Sequence, residues 1–153
     1  MTTPVKKHAS HCLVAHGLDI FGDRWTLLVL RDMILYGKRR YGEFLEAEEA
    51  IATNVLADRL KRLAAEGLVT VSKDPDNRRS NIYTLTDKGL SLMPVVFEIM
   101  KWSAQYCELN ERRRKLIVRL KTEPDAVMAE IRDREAANEN PAETVARLHL
   151  RPR

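Results

Sequence analysis

A mainly α fold with a small β-hairpin wing (α+β), a winged helix-turn-helix, is what this sequence predicts, and three observations predict it. An amphipathic helix over residues 53–66 stops at Gly67 and passes directly into a β-rich run at 68–73, a polar turn, and a second β run at 81–85. Residues 24–36 are apolar around nearly the whole helix circumference, as a helix in the middle of a bundle must be. A third stretch, 87–109, carries an apolar stripe too broad for one partner surface. A helix feeding a hairpin with a basic tip suits duplex DNA: the helix enters the major groove and the wing lies on the flanking backbone.

Each element follows from local chemistry. Leu13, Val14, Leu18 and Phe21 space a short helix over 12–21. Gly22 and Asp23 break and restart the chain, with Asp23 as the N-cap of the central helix and Gly37 as its C-terminal stop. The basic connector Lys38, Arg39, Arg40 leads into a third helix at 41–46, with Tyr41, Phe44 and Leu45 inward. In the helix over 53–66, Leu56, Leu60 and Leu63 form the buried stripe at i, i+4 and i+7. The opposite face carries Asn54, Asp58, Lys61 and Ala65, flanked by Ala57 and Arg62, while Arg59 sits at the edge of the stripe in a structural position. The turn over 74–81 is dense in Asp, Pro, Asn and Ser. Thr86 caps a long helix that Pro94 is expected to kink near its start. Trp25, Trp102 and Cys107 read as packing residues. Pro124 opens a further helix over 125–137.

The chain divides into a flexible arm (1–11), a DNA-binding and dimerisation domain (12–107) and a helical C-terminal extension (108–153). A formal net charge of +4 over 153 residues is mildly basic, so the placement of charge matters more than its sum. Two cysteines exclude a disulfide scaffold and suggest a reducing compartment. No apolar run reaches membrane-spanning length and the first ten residues lack a signal-peptide core, so a soluble cytoplasmic protein with no membrane partner is expected. No nucleophile elbow, phosphate-cradling glycine loop or paired-carboxylate site is present, which argues against an enzyme, and no cofactor is expected.

The expected partner is double-stranded operator DNA. Asn54 suits adenine, Lys61 guanine, Asp58 a cytosine amino group, and Ala57 a thymine methyl. Thr53 and Arg62 complete the helix surface. Asn77, Arg78 and Arg79 at the wing tip are expected to meet phosphate or minor groove, and Arg39 and Arg40 the backbone beside the helix. Cys12 reads either as a sensor thiol, with His11, His16 and Arg24 near it in sequence, or as a small buried hydrophobe. His8, His11, Cys12 and His16 form a weak metal-ligating cluster. A Cys12–Cys107 bridge across a dimer is a further option. The run from Arg112 to Lys115 reads as a solvated helix face.

The ordered set Cys12-Leu-Val, Gly22-Asp-Arg-Trp-Thr26, Leu30-Arg-Asp32, Arg40-Tyr-Gly-Glu-Phe44, Asn54-Val-Leu-Ala-Asp-Arg-Leu-Lys61, Glu66-Gly-Leu-Val69, Tyr83-Thr-Leu-Thr-Asp-Lys-Gly89 and Leu92-Met-Pro94 resembles the HxlR family of transcription regulators. The resemblance implies a homodimer paired through the first and last core helices and acting on a nearby promoter. It also implies that Cys12 matches the position at which some members sense electrophiles or oxidants. The sequence departs from the family pattern at Leu13, where proline is usual, and at Ala52 and Ala57, where hydroxyl residues are usual; Thr53 is then left as the cap of its helix. The combined expectation is a homodimeric, sequence-specific repressor of an inverted-repeat operator, using helix 53–66 and wing 73–81 and answering to a thiol-reactive or small-molecule effector. The alternatives are a winged-helix protein-interaction module and a metal-responsive regulator using the histidine cluster.

Overall fold

The computed structural model describes residues 11–138. Its elements run α1 (Leu13–Phe21), α2 (Arg24–Tyr36), α3 (Tyr41–Leu45), α4 (Thr53–Ala65), β1 (Val69–Lys73), β2 (Asn81–Leu85), α5 (Asp87–Leu90), α6 (Met93–Ser103), α7 (Glu111–Thr122) and α8 (Pro124–Ala137). The two strands pair antiparallel, from Val69 opposite Leu85 to Lys73 opposite Asn81.

Helix α2 forms because its first turn is capped and its last turn is released. The Asp23 carboxylate accepts from the Trp25 and Thr26 amides at 3.0 and 3.2 Å, filling two of the amides a helix start leaves unpaired. Gly37 ends the helix at φ 66°, in the left-handed region that glycine enters without a Cβ penalty. Between those ends Val29, Leu30, Met33, Ile34 and Leu35 are buried, which makes α2 the central helix the sequence predicts. Phe44 of α3, Leu56, Leu60 and Leu63 of α4, Leu68, and Met93, Val96 and Phe97 of α6 pack into the same core. Phe44 also meets Tyr83 of β2 edge to face, with ring centroids 6.4 Å apart.

The passage from α4 to the hairpin depends on Gly67 at φ 71°. Its amide and that of Leu68 reach back to Ala64 O and Leu63 O, so the last carbonyls of α4 are satisfied as the chain turns into β1.

Three expectations need correction. The long helix is not kinked at Pro94 but broken: α5 ends at Leu90 and α6 restarts at Met93 with Pro94 in its first turn, where a missing N–H costs nothing. Trp102 is 65% exposed, and Cys107 is exposed beyond the end of α6, so neither is a packing residue within this chain. The N-cap of α4 is Ala52 rather than Thr53, and no side chain caps that helix.

Helices α7 and α8 belong to the segment read as an extension, yet Leu116, Ile117, Leu120, Val127 and Ile131 join the single core cluster. The expected arm lies outside the described residues except for His11. No helix among the described residues is long and apolar enough to cross a membrane.

Candidate DNA-binding surface

Burial of Leu56, Leu60 and Leu63 orients α4 so that Asn54, Ala57, Asp58 and Lys61 face solvent, with Thr53 exposed at its start and Arg62 half-buried at its edge. The start of α4 is held from below, because the Tyr41 hydroxyl donates to Thr53 O at 2.8 Å. Arg59, at the edge of the stripe, donates through Nε to Asp23 Oδ1 at 2.9 Å and also pairs with Asp58. Asp58 therefore presents a carboxylate already shared with a cation.

The base of the wing is held by a buried carboxylate. Asp74 is buried and accepts from Arg40 Nε at 2.6 Å, while its other oxygen accepts the Asp76 amide at 2.9 Å. These bonds, the Arg40 hydrogen bond foremost, hold the Asp74 carboxyl below its usual range, so it stays ionised beside the guanidinium. At the tip the Asn77 side chain bonds Ser80 Oγ and the Arg79 amide. Asn77, Arg78 and Arg79 are exposed. Among the described residues, no acidic side chain engages Lys61, Arg78 or Arg79, which leaves three cations available to a polyanion.

Arg39 and Arg40 part company. Arg40 remains 39% exposed at the wing base, with its guanidinium on Asp74. Arg39 is buried, donating to Glu135 Oε2 at 3.1 Å and Asn138 Oδ1 at 2.5 Å, so its expected backbone contact to DNA is withdrawn. The physical reason is α8, which covers this connector; nothing in the spacing of Lys38, Arg39 and Arg40 announced it.

Sequence reasoning also missed Asp74 as the buried partner of Arg40, although an Asp opening a Pro-Asp-Asn turn is a recognisable signal for side-chain-to-amide bonding. It missed Ala50, which turns the chain between α3 and α4 at φ 53°, an uncommon conformation for a residue with a Cβ.

Cys12 is exposed at the N-cap of α1, and His11 and His16 are exposed beside it. His8 lies outside the described residues, and among the described residues no three His, Cys, Asp or Glu side chains gather into a metal site. Helix α1 buries none of its residues: Leu13, Val14 and Leu18 are 87%, 69% and 55% exposed. Ile99, Trp102 and Tyr106 are likewise exposed along and just after α6, with the Trp102 and Tyr106 rings 5.1 Å apart.

The family model described as HxlR-like helix-turn-helix matches residues 20–111. The HTH-type transcriptional regulator YodB of Bacillus subtilis is 35% identical over 90 residues, 59% of this chain and 80% of YodB. YvaP of the same organism, also an HTH-type transcriptional regulator, is 35% identical over 91 residues, 60% of this chain and 83% of YvaP. Among solved structures, the transcription-factor candidate PA1607 superposes with TM-score 0.60 at 34% identity, covering 67% of this chain and 70% of that one. The redox regulator HypR in its oxidized form gives 0.56 at 26% identity, over 64% of this chain and all of that one (100%). Reduced YodB gives 0.51 at 30% identity, over 67% and 100%. With a family-model match over residues 20–111 and winged-helix neighbours among the solved structures, this chain belongs to the HxlR family of winged helix-turn-helix transcription regulators.

Proposed function

We propose that the protein is a homodimeric repressor that reads an inverted-repeat operator with α4 and steadies itself on the flanking backbone with the wing. The observation that carries this reading is the solvent-facing row Asn54, Ala57, Asp58 and Lys61 opposite a fully buried leucine stripe, beside a basic wing tip. Asn54 and Lys61 would make the base contacts, to adenine and guanine edges. Thr53 and Arg62 flank them. Arg40, Asn77, Arg78 and Arg79 are suited to phosphate. The start of α4, with no side-chain cap, offers backbone amides to a phosphate oxygen as well.

Dimerisation is supported by the apolar residues that the chain leaves in water. Leu13, Val14 and Leu18 of α1 and Ile99, Trp102 and Tyr106 along and just after α6 are large and exposed. Two aromatic rings alone bury about 150–250 Å² each, a sizeable part of the ~800 Å² per partner in a standard interface. An isologous pairing would set two copies of α4 about 34–36 Å apart, one helical turn of DNA. A cytoplasmic location goes with this reading.

Thiol control is a second element of the proposal, supported by the exposure of both Cys12 and Cys107 and by the likeness to a redox regulator. Oxidation by diamide would join two thiols, with two protons and two electrons passing to the reagent, and a bond across the dimer would change the spacing of the heads.

Salt titration of binding to a duplex tests the DNA reading. Affinity should fall steeply and linearly on a log–log plot, by about 0.9 in slope per phosphate contacted. A flat salt response would favour the protein-interaction module.

A further inference from the structure

We propose that α8, which lies beyond the segment matched by the family model, positions the DNA-binding wing, and that Glu135 does so through Arg39. The proposal rests on the reading that the wing meets DNA.

One residue joins the two elements. The side chain of Arg39 belongs to α8: its Nη2 donates to Glu135 Oε2 at 3.1 Å and to Glu135 O at 3.2 Å, and its Nη1 donates to Asn138 Oδ1 at 2.5 Å. Its backbone belongs to the wing. Arg39 O accepts the Tyr83 amide at 2.9 Å, and Arg40 forms an antiparallel bridge to Ile82. The next link is Arg40 Nε on Asp74 Oδ2 at 2.6 Å, and Asp74 N in turn donates to Ser80 O at 3.1 Å across the base of the wing turn. The connector at 38–40 is thus a short third rail against β2, held in place from behind by α8.

The back of this device is anchored to the core. Arg134 donates to Ile34 O at 2.7 Å and Met33 O at 2.8 Å, and to Glu135 Oε1 at 3.0 Å. It thereby ties α8 to carbonyls of α2 and orients the carboxylate that receives Arg39. Side-chain exposures of 9% for Arg39 and 6% for Glu135 make this a buried ion pair. Such a pair gains little over apolar packing, whereas removing one partner leaves an uncompensated buried charge. Its value here is geometric. It fixes where residue 39 sits, and residue 39 fixes the near edge of β2.

The test uses the full chain with two variants. Glu135→Gln keeps the size of the side chain and removes its charge. Asn138→Gly removes one acceptor of Arg39 and suits the positive φ of 55° at that helix end, so it covers the case in which Glu135→Gln fails to fold. Amide hydrogen exchange should quicken by about tenfold or more in β2 and the turn at 74–80. The amides of α4, on Leu60 and Leu63, should stay near wild type. Equal acceleration in both regions, or none in the wing, would overturn the proposal, since a plain stabiliser of the core acts on all of it.

A second arm measures DNA affinity with Arg79→Ala alone and combined with either variant. The loss caused by Arg79→Ala should shrink by several-fold in the Glu135→Gln background, because a wing already displaced has less contact to lose. An undiminished loss would contradict the coupling. If Arg79→Ala has no effect even in the otherwise wild-type chain, it is the wing–DNA reading that fails, and the exchange measurement still decides whether Glu135 holds the wing.

Discussion

Arg59 of α4 donates to the same Asp23 oxygen that accepts the Trp25 and Thr26 amides, so one carboxylate both caps the central helix and ties α4 to it. Burial pushes the Asp23 carboxyl up, but the hydrogen bonds from Thr26 and Arg59 outweigh it, and the group titrates below its ordinary 3.8. The start of α2 and the exposed face of α4 are thus tied through one side chain.

Replacement at position 23 should separate the two roles. Asp23→Ala removes the cap and the ion pair, and should cost about 1–2 kcal/mol, or on the order of 2–8 °C in melting temperature. Asp23→Asn keeps a capping oxygen and should lose less stability while still weakening DNA binding, because Arg59 loses the one of its two charged partners that ties α4 to α2. Thermal melts and binding curves on both variants check this. An Asn variant less stable than the Ala variant would show that the cap is not the main contribution.

Acid stability should carry the signature of Glu49. Its hydrogen bonds from Arg31, at 3.1 Å from Nη2 and 2.5 Å from Nη1, lower its carboxyl from 4.5 to about 2. Because the folded value is depressed, the unfolded chain binds more protons between these limits. The contribution is complete above about pH 4.5 and is lost as pH falls toward 2. Glu49→Gln should lower the melting temperature at pH 6 and flatten its fall between pH 4.5 and 2. A parallel shift at every pH would contradict the assignment.

On the proposed reading, base reading and backbone contact should come apart between Lys61 and Arg79. Lys61→Ala should relax specificity at one base pair per half-site, costing about 1–3 kcal/mol on the preferred duplex. Arg79→Ala should weaken all duplexes alike and reduce the salt slope by about one. Binding to single-substituted duplexes distinguishes these outcomes, and an unchanged preference in Lys61→Ala would mean that α4 presents another face.

Trp102 should govern assembly without governing the fold. It is 65% exposed, so Trp102→Ala should leave the protomer's melting temperature little changed at high dilution and shift sedimentation from dimer toward monomer. A variant that sediments as wild type would remove the α6 side from the interface.

Thiol control should depend on Cys12. Cys12→Ser should abolish any loss of DNA binding in diamide while leaving binding in reductant intact. If a bridge to Cys107 forms, wild type should run as a dimer on a non-reducing gel and both single Ser variants as monomers. An undiminished diamide response in Cys12→Ser would exclude the residue as a sensor.

Most of the fold was legible because it rests on local rules. The leucine spacing at 56, 60 and 63, the cap at Asp23, the stop at Gly37 and the turn-rich 74–81 segment all act within a few residues of themselves. What escaped depends on distant partners. Arg39 looked like its neighbour Arg40 because both are arginines in a basic connector; only the return of α8, nearly a hundred positions later, buries one and leaves the other out. Trp102 and Cys107 read as packing residues because apolar character alone does not distinguish a surface packed within the chain from one the chain leaves exposed. Ala50 gave no signal, since Ala carries no turn preference that would announce its φ of 53°.

Selection of bound duplexes from a random pool by the purified protein in reductant should enrich an inverted repeat whose half-site centres lie about 10–10.5 base pairs apart, one turn of DNA, with the enrichment lost in Lys61→Ala at one position per half-site. Recovery of no motif, or of a single site without two-fold symmetry, would contradict the operator reading.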